Sequence, residues 1–389
     1  MAAARRAPAG LPLCIVVICL YWLSLYLYVP VLSPRADRLG AGTAGVGLVL
    51  AAYGLVQLLL RLPTGLWSDR VGRRQPFFVA AILACGVGAL GMGLARTPAA
   101  LGAFRGVSGL GACGWVAITL LFADHFPRGR VGWALGLLSF IATASQLGGT
   151  FLGGLLAQAT GGDAWPFLAA AAVAVPGLAG ALLLRETAPP GPRGRVATLR
   201  ERLAAGREPR VVAASALAVG MQYVHFATVY GFVPLLATLR FQAGGAALGV
   251  LSLSAGVPSA LASLAGGRLG TAANRRTIAI AGFCIAAAGT ALLPLAPTLA
   301  GLNVAAGLVG LGLGLTAPTL MAAAVERSPD ASRGAAMGFY QATYAIGMFA
   351  GPAVGGAIGR QFGMLGLFET TALLGASAAA AAWRLLPRR

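Results

Sequence analysis

This chain of 389 residues contains no lysine and only ten acidic residues, and charged side chains make up 10% of it against 58% that are hydrophobic. About a quarter of a soluble domain is normally charged, so this composition excludes an ordinary water-soluble fold. No Walker-type phosphate loop, metal-ligand cluster or nucleophile triad is visible. That argues against ATP-driven pumping and hydrolytic chemistry: the chain is not expected to be an enzyme, or to hold a cofactor or metal. The five cysteines (Cys14, Cys19, Cys85, Cys113, Cys284) lie inside apolar runs without metal-type spacing and read as small packing residues. The first apolar run has no small-residue cleavage site, so it reads as a retained helix despite Arg5 and Arg6.

Apolar runs of about twenty residues, each able to cross roughly 30 Å of hydrocarbon as a helix, fill the rest. Twelve are expected: 11-32, 44-66, 77-97, 99-123, 132-156, 164-184, 211-235, 246-268, 277-296, 299-325, 335-358 and 364-386. Lipid offers the backbone no hydrogen-bond partners, and runs this long and continuous exclude a barrel. The class is all-α and polytopic.

A net charge of +19 raises nucleic acid as a partner, but all 29 basic residues are arginines and they alternate between loops. With an even number of spans, 22 lie on the side of both termini, five lie opposite (Arg35, Arg38, Arg96, Arg240, Arg360) and two lie within spans. That excess places both termini in the cytoplasm and the protein in the cytoplasmic membrane. Seven arginines between 185 and 210 mark a basic linker suited to anionic lipid headgroups. No nucleic acid partner is expected.

Shifted by 202, the chain matches itself. Gly65 meets Gly267, Arg73-Arg74 meets Arg275-Arg276, Asp124 meets Glu326, Pro127 meets Pro329, and Gly149, Gly153, Gly154 meet Gly351, Gly355, Gly356. At a shift of 204, YLYVPVL (26-32) meets YGFVPLL (230-236). Arginine pairs, acids and prolines in one register indicate a true repeat. The expected organisation is a six-helix bundle over 1-184, the linker 185-210 and a second bundle over 211-389, related by an axis along the membrane normal.

The loop after the second span reads GLWSDRVGRR (65-74), and its counterpart reads GRLGTAANRR (267-276). The first resembles the signature Gly-x-Leu-x-Asp-Arg-x-Gly-Arg-Arg of the major facilitator superfamily, with Trp67 in place of Leu. With twelve spans, a basic central linker and the repeat, the resemblance covers the whole chain. It implies a twelve-helix secondary transporter of the bacterial drug and metabolite type, moving a small molecule without a cofactor. It also implies a gating role for Gly65, Asp69, Arg70, Gly72, Arg73 and Arg74, with Asp69 latching onto the start of span eleven at Arg333. Asp124 is expected to pair with Arg73 or Arg70. In the second copy Asp69 becomes Thr271, so the latch is expected on one side only.

Ionisable groups inside a membrane are functional candidates by default. Arg105 opens RGVSGLGA, which resembles the family pattern in which this arginine is associated with proton coupling. His225 and Glu369 are further coupling candidates, and a structural histidine is as good a reading of His225. Arg61 reads as either a pathway residue or a snorkelling side chain. Polar faces suggest a cavity lined by Tyr21, Ser24, Tyr28, Ser108, Trp115, Gln146, Gln222, Tyr223, Tyr230, Asn303, Gln341 and Tyr344, although aromatic stripes also serve as core packing. Gly149, Gly153, Gly154, Gly347, Gly351, Pro352, Gly355 and Gly356 read as sites of close helix crossing. The run GMFAGPAVGG (347-356) fits an exporter pattern of the family, displaced from span five to span eleven.

The expected function is secondary active transport of a small organic solute by alternating access, with proton-coupled efflux favoured and the protein a monomer. Proton-coupled or facilitated uptake of a nutrient or organic anion is the alternative. A membrane sensor or lipid scramblase on the same fold is the alternative of another class.

Overall fold

Proline and glycine decide where the long helices break. The computed structural model describes residues 10–126, 131–184, 186, 204, 208–269, 274–325 and 330–386, with the side chains of 69, 131–132, 266–269 and 330–335 left out. Span one is two helices, Leu11–Tyr26 and Val29–Arg38, because the chain turns at Leu27 and Tyr28 and Pro30 has no N–H for the ladder. Span seven repeats the device. Pro209–Ala227 passes through a π turn at Thr228–Phe232 and resumes as Val233–Phe241, with Pro234 in its first turn. The two breaks are the two copies of the Tyr-x-x-Val-Pro-x-Leu stretch.

The other spans are Gly42–Val71 (two), Gln75–Leu94 (three), Pro98–Cys113 with Trp115–Ala123 (four), Val131–Thr160 (five) and Trp165–Leu183 (six). Then come Gly245–Leu269 (eight), Arg275–Leu292 (nine) and Leu299–Val325 (ten). Among the described residues 11 helical segments are long and apolar enough to cross a membrane. The expected count of twelve is recovered at the last segment. Asp330–Leu385 is 56 residues long and contains Gly363 at φ 70°, ψ −178°, a conformation only glycine adopts cheaply, so spans eleven (330–362) and twelve (364–385) meet there.

The repeat is visible in the packing. In span five, Gly149 and Gly153 lie against span one at Tyr26 and Leu27, while Gly154 lies against span eight at Gly245 and Gly249. In span eleven, Gly351 and Gly355 lie against span seven at Tyr223, Ala227 and Phe232, while Gly356 lies against span two at Gly47. Each glycine has its counterpart at the 202 shift, on the equivalent neighbour. Spans two and eleven form one seam between the halves, and spans five and eight form the other. At both, glycine lets backbones touch where any side chain would clash.

The side of the membrane opposite the termini, the far side, is cross-braced. Arg35, buried at the end of span one, gives Nη1 to Asp163 Oδ1 at 2.6 Å and Nη2 to the carbonyls of Gly93 and Ala95 at 2.8 and 3.1 Å. Arg38 holds the other oxygen of Asp163 through Nε at 2.9 Å and Nη2 at 2.7 Å. In the second half Arg240 donates to the Pro294 carbonyl in the same manner, from the end of span seven to the end of span nine. These far-side arginines, read from sequence only as topology markers, tie helix ends together.

Candidate functional site

A cavity of about 580 Å³ lies between the halves along the seam of spans five and eight. Its deep end is Tyr26 and Tyr230, its walls carry Ser139, Thr143, Gln146, Thr150, Ser252 and Ser259, and it reaches the terminal side at Gly136, Ser263 and Leu264. Phe140, Leu261 and Leu264 stand exposed at its mouth. On the far side the same seam is shut by Gly154 against Gly245 and Gly249, and the opposite seam by Gly47 against Pro352 and Gly356. The molecule is therefore closed toward the far side and hollow toward the terminal side.

The cavity lies on one seam, and the repeat supplies a reason. On the seam of spans two and eleven, Arg61 lies over the ring of Tyr344, 5.3 Å from its centroid, and fills the space between halves. At the 202 shift Arg61 corresponds to Ser263 and Tyr344 to Ala142. Ser263 lines the cavity, so the position filled by a large arginine on one seam carries a small side chain on the other.

Tyr26 and Tyr230 are counterparts at the 204 shift and meet edge to face, ring centroids 5.6 Å apart, each beside the break in its own span. His225 stacks on Tyr230 at 4.4 Å and lines the cavity. Behind the tyrosines a void of about 10 Å³, the size of one water molecule, is bounded by Tyr26, Tyr53, Arg105, Phe226 and Tyr230. Arg105 is 5% exposed, donates to Tyr28 Oη at 3.1 Å, and lies 4.1 Å from the centroid of Tyr53. Ser108 donates back to the Arg105 carbonyl at 2.7 Å. No acid pairs with Arg105 or Arg61 among the described residues. Both cations are held by aromatic faces and neutral acceptors, an arrangement that depends on desolvation to be strong.

Of the residues expected to line a cavity, the structure brings Gln146 and Tyr230 to it, together with His225, expected as a coupling residue. The others pack elsewhere. Tyr21 is buried and donates to the Gly111 carbonyl at 3.2 Å, Ser24 is buried beside it on span one, and Tyr28 stacks on Phe167 at 4.9 Å. Trp115 meets Trp22 at 5.0 Å, after the helix break at Gly114 that separates it from Ser108. Tyr223 packs on Gly347 and Gly351, and Asn303 donates to the Leu299 carbonyl at 3.0 Å. Gln222 and Gln341 are half-buried away from the cavity. Glu369 is exposed on the surface of span twelve and does not reach it. Sequence reasoning missed Tyr26 and the hydroxyls of spans five and eight. The 204 shift that pairs Tyr26 with Tyr230 was the available signal for the first, and no local signal marks the second.

In the loop of the signature, Gly65 is buried and Gly72 ends span two in the left-handed region at φ 67°. Arg70 and Arg73 are exposed, as is Asp124 at the end of span four. The side chains of Asp69 and Arg333, and therefore the expected latch, lie outside the described residues, as does most of the basic linker. The structure adds Glu186, whose Oε1 accepts from the backbone N–H groups of Arg74 and Gln75 at 2.6 and 2.7 Å. Gln75 also gives Nε2 to the carbonyls of Ala181 and Leu182 at 3.0 Å each. A carboxylate from the end of span six thus caps the positive end of span three, directly after the signature loop.

Comparison with known proteins bears on what this arrangement is. The family model described as Major Facilitator Superfamily matches residues 14–242 and 215–389. The chain is 28% identical over 331 residues to the "Multidrug resistance protein MdtG" of Escherichia coli, an alignment covering 83% of this chain and 79% of the relative. Among solved structures, a bacterial homolog of the human lysosomal transporter Spinster, inward-facing and unoccupied, superposes with a TM-score of 0.79 at 18% identity, covering 98% of each chain. The nucleoside transporter NupG superposes with a TM-score of 0.73 at 14% identity, covering 96% of this chain and 98% of its own. With its paired six-helix bundles, the seams between them and a family match running nearly end to end, the chain belongs to the Major Facilitator Superfamily of membrane transporters.

Proposed function

We propose that the protein is a secondary active transporter that exports small amphipathic compounds across the cytoplasmic membrane by alternating access, driven by the proton gradient. The observation that carries this reading is the one-sided closure: backbone contacts seal both seams on the far side while a drug-sized cavity stays hollow toward the termini. The arginine excess on the terminal side supports assigning that side to the cytoplasm. The drug-resistance relative supports export over uptake. His225, in the cavity wall, and Arg105, behind the tyrosine pair, are the groups through which proton and solute occupancy would be coupled. The latch of Asp69 on the start of span eleven completes the proposal on the cytoplasmic side, where it would hold the outward-facing state. The protein acts as a monomer in this reading.

Purified protein in liposomes provides the test. An imposed pH gradient should drive accumulation of a fluorescent amphipathic dye, and an uncoupler should abolish it. Dye movement unaffected by the uncoupler would overturn proton coupling. Lipid translocation without any gradient would favour a scramblase on the same fold.

A further inference from the structure

The chemistry of the cavity wall narrows the substrate class, and this inference rests on the transport reading above. Although arginine is the commonest charged residue in the chain, no arginine and no carboxylate lines the cavity among the described residues. The buried arginines Arg105 and Arg61 stand outside it, Arg105 behind the tyrosine pair and Arg61 on the opposite seam, and the third, Arg35, is held at the far-side end of span one. A carboxylate entering the cavity would lose its water without finding a cation.

The hydroxyls are also oriented chemically. Ser139 donates to the Leu135 carbonyl at 2.9 Å, Thr150 to Leu147 at 2.9 Å, Ser252 to Leu248 at 3.0 Å and Ser263 to Gly314 at 3.0 Å. A hydroxyl has one proton and two lone pairs. With its proton given to a main-chain carbonyl, each of these four presents only lone pairs to the cavity. Thr143, Ser259, Gln146, His225 and the tyrosine pair can donate or accept, so with the four committed hydroxyls the wall as a whole has a surplus of acceptors. A neutral wall rich in acceptors favours an occupant that brings N–H or O–H donors, and leaves unmet acceptors facing one that brings none.

We infer that the cavity selects amphipathic compounds carrying hydrogen-bond donors and no anionic group. A matched series of dyes separates this from simple hydrophobic capture: a rhodamine methyl ester with two free amino groups, its fully N-methylated counterpart, and the N-methylated free acid. The first two share charge and shape, and methylation makes the second more hydrophobic while removing every N–H. Binding is read by fluorescence anisotropy on the purified protein without a gradient. The amino dye should bind about tenfold tighter than its N-methylated ester, the effect of roughly one net hydrogen bond, and the free acid should bind weakest. Ser252→Ala and Ser139→Ala should each shrink the preference for the amino dye. Ser254→Ala, one helix face away and outside the cavity, should leave it unchanged. Equal or tighter binding of the N-methylated ester, tightest binding of the acid, or binding of none of the three would overturn the inference. Gradient-driven flux measured on the same preparation keeps the two readings apart. Flux with a reversed order of affinities defeats the substrate class alone, and the expected order without flux defeats transport alone.

Discussion

Arg105 concentrates the residue-scale argument, because a guanidinium 5% exposed, with no acid to pair among the described residues, persists only where its surroundings hold it in place. Here Tyr28 accepts its Nη1 and Tyr53 lies beneath its plane. Arg105→Ala should abolish gradient-driven flux with little loss of expression, measured in proteoliposomes and by quantitative immunoblot; normal flux would make Arg105 structural. Arg105→Lys should not rescue, since an ammonium reproduces the charge but not the planar stacking. The site was partly legible at this scale. Ionisable residues inside apolar runs announce themselves, and so Arg105, Arg61 and His225 could be singled out. Serines in alanine-rich helices cannot, because nothing local distinguishes Ser252, which lines the cavity, from Ser254, which does not. The tyrosines and amides misled for the opposite reason: a polar face on one helix says nothing about which neighbour covers it, and Tyr21 and Tyr223 are covered by close-packed partners.

Elements turn these residues into a mechanism through the two seams. Gly47→Leu, facing the carbonyl of Pro352 and the backbone of Gly356, forces spans two and eleven apart on the far side. A cost of about 1–3 kcal/mol to that closed state is expected from overpacking. The variant should label more readily with a membrane-impermeant thiol reagent at a cysteine placed at Thr43, and unchanged labelling would count against the seam. At the other end, Glu186→Gln weakens the cap on span three by about 1 kcal/mol. It should lower the unfolding temperature by about one degree, whereas an unaltered melting curve would show that the cap contributes nothing. The spans themselves were legible almost throughout, since long apolar runs have one solution in lipid. Their ends were less so. Span one was read to residue 32 but continues to Arg38, because Arg35 and Arg38 both find Asp163 and Arg35 also finds the end of span three. The junction of spans eleven and twelve hangs on Gly363 alone, with no loop to mark it.

For the whole molecule, the repeat carried the fold: its register pairs the glycines of span five with those of span eleven on equivalent neighbours. What the repeat could not disclose is where the halves differ, and the cavity lies at such a difference, with Arg61 set against Ser263. Ser263→Arg should therefore plug the open seam and reduce dye binding severalfold without lowering the melting temperature by more than a few degrees; full binding would refute the volume argument. Asp69→Asn should shift the resting balance toward the state with the cytoplasmic side open and depress transport, and unaltered transport would remove the latch from the account.

The central claim is that closure on the two sides alternates. Spin-label distances test it most directly, with one pair across the far-side seam at Thr43 and Arg360 and one across the terminal side at Gly136 and Leu264. Adding substrate with a proton gradient should lengthen the first distance and shorten the second together. Two distances that stay fixed, or that move in the same direction, would contradict it.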